Sequence, residues 1–137
     1  MWHTEHTVQT TTEPGAIWSR WLDVAAWPEW DEGLESARIN GPLAVGSLCT
    51  LHFRKWGLQT LQIVEVKEGR GFTCVQHRFL ADFRIHHRCE PSEMGSRITQ
   101  RVEAEGLLAW WLHLKLASRF RHTLPKALRK LARTAGT

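Results

Sequence analysis

The chain has no tyrosine, only two methionines and only three cysteines among 137 residues. Three cysteines cannot pair completely, and no CxxC occurs. Neither a disulfide framework nor a metal site is therefore expected, and a reducing cytoplasm is the expected compartment. Long apolar runs are missing as well. The longest, Gly106 to Leu114, already contains His113 and is too short to cross a bilayer. The opening MWHTEHTVQT lacks the apolar stretch of a signal peptide. Acidic residues are absent from 115–133, where Lys115, Arg119, Arg121, Lys126, Arg129, Lys130 and Arg133 all lie. Ahead of that segment the chain is mildly acidic, so its net charge of +4 belongs to one element. A charge excess confined in this way weakens any case for a general nucleic-acid surface, and no nucleic-acid partner is expected.

What is present is ordinary globular composition, 42% hydrophobic and 23% charged, which argues against disorder. The length suits a single domain over 1–137, and such a domain buries roughly two-thirds of its unfolded surface. The aromatic surface is large and carries few hydroxyls, because eight tryptophans stand against no tyrosine.

Residues 3–11 are rich in Thr, Val and His and predict a first strand. Thr12-Glu13-Pro14-Gly15 then offers a helix start with proline just inside. Ile17, Trp18, Trp21 and Leu22 share one face of the helix that follows, and Pro28 should end it. A second short helical turn is expected over Trp30 to Leu34. From Glu35 to Glu105 the apolar period is two, with Gly punctuation. Strands are predicted at 35–41, 46–54, 58–67, 71–79, 82–90 and 95–105, joined by short turns and hence antiparallel. Beyond Leu107 the period becomes 3.6. Leu112, Leu116, Phe120, Leu124, Ala127, Leu128 and Leu131 form the apolar stripe of a helix running to Arg133, with Pro125 as a kink or break. The predicted class is α+β: a curved antiparallel sheet of six or seven strands around one long C-terminal helix, with two short helices after the first strand.

Turn positions fix strand registers, and registers fix which residues share a face. A turn at Leu80-Ala81 pairs Arg78 with Phe83, Gln76 with Ile85 and Cys74 with His87. The next hairpin sets His87 against Ile98 and Ile85 against Gln100. Turns at Lys67–Gly71 and Lys55-Trp56 add Val64 with Cys74, Gln62 with Gln76, Leu51 with Thr60 and Cys49 with Gln62. The inner face then holds three rows: Leu51, Thr60, Arg78, Phe83, Val102; Cys49, Gln62, Gln76, Ile85, Gln100; and Ser47, Val64, Cys74, His87, Ile98. Leu61, Ile63 and Val75 are apolar exceptions on the opposite, charged face. Glutamines, a histidine and an arginine facing a core are informative, since each unpaired buried amide costs about 1–3 kcal/mol. They hydrogen-bond to one another or line a cavity, and the cavity is the reading taken forward.

The segments Glu13-Pro14-Gly15-Ala16-Ile17-Trp18 and Trp27-Pro28-Glu29-Trp30 resemble the opening of the START-like (SRPBCC) superfamily, the helix-grip fold. Its polyketide cyclase/dehydrase-like group is the nearest. Asn40-Gly41-Pro42, Gly46, Ile63-Val64-Glu65-Val66, Gly95-Ser96-Arg97-Ile98-Thr99, Glu105-Gly106-Leu107-Leu108 and Leu124-Pro125-Lys126-Ala127-Leu128 extend the resemblance over nearly the whole chain, in order. It implies a deep pocket between sheet and long helix that accepts hydrophobic small molecules. It does not imply a reaction, because the superfamily mixes carriers, cyclases and aromatase-type enzymes.

Several residues admit two readings. Cys74 beside His87 reads as a thiolate–imidazole dyad or as a small thiol packed on a satisfied ring; the absence of a third orienting group favours packing. His87, alone or together with His113, could move protons on a bound carbonyl compound, or be a hydrogen-bonded wall residue. Arg78 would meet a ligand anion, pair with Asp82 or reach solvent at the pocket mouth. Trp18, Trp21, Trp27 and Trp30 could stack a flat ligand or fill the core; of these Trp30 is the first choice for the pocket. Trp110-Trp111 can turn one ring inward at most. The basic helix could dock on anionic lipid or simply present a solvated face, and the second is favoured because the sheet already needs its apolar stripe.

The expected function is binding of a small hydrophobic ligand, aromatic or polycyclic. The ligand-binding residues are Trp30, Leu51, Phe53, Gln62, Gln76, Arg78, Phe83, Ile85, Gln100, His113, Leu116 and Phe120, with His87 orienting. The alternative is a cyclase or dehydratase with His87 as catalytic acid/base, the glutamines holding carbonyl oxygens, and no metal or nucleotide cofactor. A third reading is a module that meets membrane or protein through the basic helix.

Overall fold

In the computed structural model, residues 2–55, 57–78, 81–106 and 126–133 are described, Trp2 and Arg78 by their backbone only. The chain runs β1 (Trp2–Thr10), α1 (Pro14–Leu22), a 3₁₀ helix (Val24–Glu29), β2 (Leu34–Ile39), β3 (Leu48–Phe53), β4 (Gly57–Lys67), β5 (Gly71–Arg78), β6 (Ala81–Pro91) and β7 (Ser96–Glu105). Helical residues 126–133, here α2, close the described part. One antiparallel sheet results, in the order β1-β7-β6-β5-β4-β3-β2. This is the curved helix-grip sheet expected from the sequence.

Local chemistry explains the short helices. Pro14 opens α1 at a position where its missing N–H is no loss, and Ile17 and Trp21, one turn apart, are fully buried. The second turn is a correction. It spans Val24–Glu29 rather than Trp30–Leu34. Pro28 sits inside it, because two turns of 3₁₀ helix have few N–H bonds for proline to remove. Asp23 and Trp27 carbonyls accept the closing bonds from Ala26 and Trp30, and the Trp27 indole N–H donates to the Trp21 carbonyl at 3.1 Å. Arg20 clamps the two helices through Glu29 at 2.7 Å.

The registers differ from the expected ones in two informative ways. At β5–β6 the pairs are Arg78 with Ala81, Gln76 with Phe83, Cys74 with Ile85 and Phe72 with His87. At β6–β7 they are Ile85 with Val102, His87 with Gln100 and Cys89 with Ile98. Both hairpins are displaced by two residues, which leaves every side chain on its expected face but changes its neighbour. At β4 the displacement is one. Glu65 faces Thr73 as the turn predicts, but a bulge at Val64 makes Ile63 the partner of Cys74 and Gln62 that of Val75. From that point toward Gly57 the parity of β4 is inverted. Leu61 and Ile63, two of the three apolar exceptions, therefore point inward and are buried, while Gln62 is exposed on the convex face beside the third, Val75.

The core gathers Ile17, Trp21, Trp27 and Trp30 from the short helices against Leu34, Leu51, Leu61, Ile63, Phe72 and Ile98 of the sheet. Ala127, Leu128 and Leu131 of α2 join it, in keeping with the predicted stripe, and Ala132 is buried with them. Lys126 and Lys130 reach back to Glu32 at 2.9 and 3.2 Å, so part of the basic run closes a surface contact. On the convex face Thr73 Oγ1 meets His86 Nδ1 at 3.0 Å and the other ring nitrogen of His86 bonds Glu103. That bond, first of all, holds the Glu103 carboxyl below its ordinary range. No described helix is long and apolar enough to cross a membrane.

Gly71 of β5 lies tight against the β6 backbone. With φ +156°, an added Cβ there would lie 1.9 Å from the His87 carbonyl oxygen. Gly71→Ala is expected to lower stability by about 3 kcal/mol or more, or to prevent folding. Gly41→Ala, with nothing within 4 Å, should change it by less than about 1 kcal/mol. Urea unfolding of both variants checks the contrast.

Candidate functional site

Strand parity assembles the concave face. β1 contributes Thr4, His6 and Val8 opposite Val102, Gln100 and Ile98 of β7. β6 contributes Phe83, Ile85, His87 and Cys89, and β5 contributes Phe72, Cys74 and Gln76. Most of these side chains are buried. Thr4, His6 and Val8 of β1 are half-buried, and from His6 a half-buried diagonal crosses the sheet through Gln100, Ile85 and Gln76 to Gln59.

The polar members of that diagonal differ in how they are satisfied. Gln76 Nε2 donates to Gln59 Oε1 across β4 and β5, which leaves three of the four hydrogen-bonding positions on the Gln76 amide for other partners. Gln100 has no hydrogen-bond partner among the described residues. His6 Nε2 lies 3.5 Å from Thr4 Oγ1, a weak contact. His6 and Gln59 were absent from the sequence-derived site, though the period-two parity of β1 would have found the first. Gln59 needed the bulge.

His87 lies inward but apart from this diagonal. Its ring stacks on Phe72 at 4.3 Å and 11°, with Trp21 edge-on at 5.9 Å and Trp27 tilted at 6.4 Å. Burial, chiefly, with the neighbouring Arg88 and His86 charges, pushes its pKa down to about 3. The imidazole is therefore neutral at pH 7, and its Nδ1 is buried with no partner among the described residues. The thiol–imidazole dyad is not assembled, because Cys74 stands opposite Ile85 and donates to its carbonyl at 3.9 Å. Burial holds the Cys74 thiol far above its ordinary value and raises Cys49 to about 11, so both stay protonated.

The remaining predicted residues divide clearly. Leu51 and Phe83 are buried, Phe53 and Ile85 are half-buried and pack on the core. Trp30 is a core residue, 4% exposed, tilted against Trp27 at 6.0 Å. Gln62 is on the other side of the sheet for the reason given above. The Arg78 side chain, His113, Leu116 and Phe120 lie outside the described residues, as does Trp110-Trp111. No group of three potential metal ligands occurs among the described residues. A cleft of about 390 Å³ on the convex face is lined by Glu5, His86, Arg88, Thr99, Arg101 and Glu103. Its charges are largely spent on one another and on Glu65.

A buried neutral histidine has a consequence for stability. Its folded pKa lies below the unfolded value near 6.5, so protons favour the unfolded chain. The contribution is whole above pH 6.5 and is lost as pH falls toward 3, by about 1.4 kcal/mol per pH unit. Between pH 7 and pH 5 the wild type should lose about 2 kcal/mol more than His87→Phe, which keeps a planar ring without the titration. Urea unfolding at the two pH values measures it.

Comparison with known proteins matches this architecture. The family described as polyketide cyclase / dehydrase and lipid transport matches residues 1–136. Among solved structures, the di-domain ARO/CYC StfQ from the steffimycin biosynthetic pathway superposes with a TM-score of 0.77 at 13% identity, covering 97% of this chain and 50% of that one. Norcoclaurine synthase from Thalictrum flavum gives 0.75 at 12%, covering 97% and 85%. Ara h 8.0201 gives 0.72 at 12%, covering 98% and 97%. At such identities the likeness establishes the fold alone. No curated protein matches the chain in sequence. A seven-stranded sheet curved around its core, capped by tryptophan-bearing short helices and matched end to end, makes this chain a member of the polyketide cyclase/dehydrase and lipid transport family.

Proposed function

We propose that the chain binds a small, largely apolar, aromatic or polycyclic ligand on the concave face of its sheet. The observation that carries this reading is the half-buried diagonal of Gln100, Ile85 and Gln76 on strands β5 to β7, whose other described concave side chains are buried. A sheet that covered this face only to bury it would fill those positions with aliphatic side chains and leave no amide unbonded. Mixed walls, apolar with a few polar groups, are what orient a small molecule. The family description covers both cyclase chemistry and lipid transport, and two structural neighbours, the ARO/CYC protein and norcoclaurine synthase, carry the names of enzymes. Binding is the reading preferred here. A neutral imidazole with a pKa of about 3, closed in by Phe72, Trp21 and Trp27, is a weak base at pH 7 and suits a wall better than a proton carrier.

The test is a titration with the fluorescent apolar dye 1-anilinonaphthalene-8-sulfonate. Saturable enhancement is expected for the wild type. Ile85→Trp, which fills the middle of the diagonal, should weaken it about tenfold or more, since added bulk occupies the ligand's volume. Leu58→Trp on the convex face should leave it unchanged. Equal affinities in all three proteins would remove the concave face from consideration.

A further inference from the structure

The diagonal is polar at both ends and apolar between them. At one end His6 and Gln100 stand side by side on β1 and β7, with the Thr4 hydroxyl turned to His6. At the other end Gln76 and Gln59 are joined across β5 and β4. Ile85 occupies the middle, flanked by Val102 and Cys74 on the neighbouring strands. The Cys74 S–H is already given to a backbone carbonyl, so this central band offers a ligand nothing but apolar contact.

Register sets the spacing of the two ends. Gln100 is opposite His87 and Gln76 opposite Phe83, four residues apart along β6, and the two glutamines lie on strands on either side of it. With strands about 4.8 Å apart and about 3.4 Å per residue, their Cα atoms are separated by roughly 17 Å. Long amide side chains shorten the gap between their polar tips, leaving a span suited to a few fused rings.

We infer that the ligand is elongated and carries a hydrogen-bonding oxygen at each end, one for Gln100 and His6, the other for the Gln76–Gln59 pair. The inference rests on the binding reading above and specifies the class of molecule. A ligand polar at one end only would leave the amide of Gln100 or of Gln76 facing hydrocarbon, which disfavours it relative to the doubly substituted form.

Calorimetry with linear fused-ring compounds of two, three and four rings, hydroxylated at one end or at both, tests it. The dihydroxy compounds should bind about fivefold to tenfold more tightly than their monohydroxy partners, most clearly at one preferred length, as expected for one further satisfied hydrogen bond. Gln100→Leu and Gln76→Leu should each abolish that advantage while still binding the monohydroxy rings. A purely structural role for either glutamine would not remove a preference for length. If one- and two-ended compounds bind alike at every length, the inference is overturned and the binding reading stands. If no ring compound binds, both fall.

Discussion

The cross-strand stack of Phe72 on His87 is the contact on which the surrounding structure turns. Beside it, Gly71 lies so near the His87 carbonyl that no Cβ could be added there. The stack offers a flat surface on which Trp21 and Trp27 settle, and so fixes where α1 and the 3₁₀ helix lie on the sheet. Closing those rings over the imidazole removes it from water, and the loss of solvation keeps it uncharged. The same packing divides the concave face into a sealed region beneath the tryptophans and a diagonal that water still reaches.

That division separates two kinds of polar group. His87 and the Trp21 and Trp30 indoles have buried nitrogens without partners among the described residues. Such atoms destabilise the closed core by about 1–3 kcal/mol each. The glutamines of the diagonal carry no such penalty, because they retain access to solvent. Polar side chains kept on an inner face at low cost are the ones a bound molecule can use. The opposite face behaves differently. There His86, Arg88, Arg101, Glu65 and Glu103 satisfy one another within and across strands, an arrangement suited to a solvated surface.

Much of this was legible from local patterns. The strand boundaries, the helix opening at Pro14, the antiparallel order and the sidedness of β5, β6 and β7 follow from period-two alternation and turn residues. The partners did not follow. Sliding a hairpin by two residues preserves each face, so hydrophobic pattern cannot distinguish Cys74 opposite His87 from Cys74 opposite Ile85. β4 shows a sharper limit. Leu61 and Ile63 broke the alternation assumed from the Lys67–Gly71 turn, and that break was the trace of the bulge at Val64. Read as an exception, it placed Gln62 inside and Gln59 out of view.

The amino-acid sequence by itself determined a one-family fold and which type of side chain alternates on each strand. Those properties come from backbone geometry and from turns a few residues long. Tertiary structure decided which polar groups were sealed and which kept water. Trp30, chosen as a pocket residue, was drawn into the core by Trp27, and His87, chosen for chemistry, was closed in by rings from three separate elements. Burial is the sum of contacts made by segments far apart in the chain, and no local spacing encodes it.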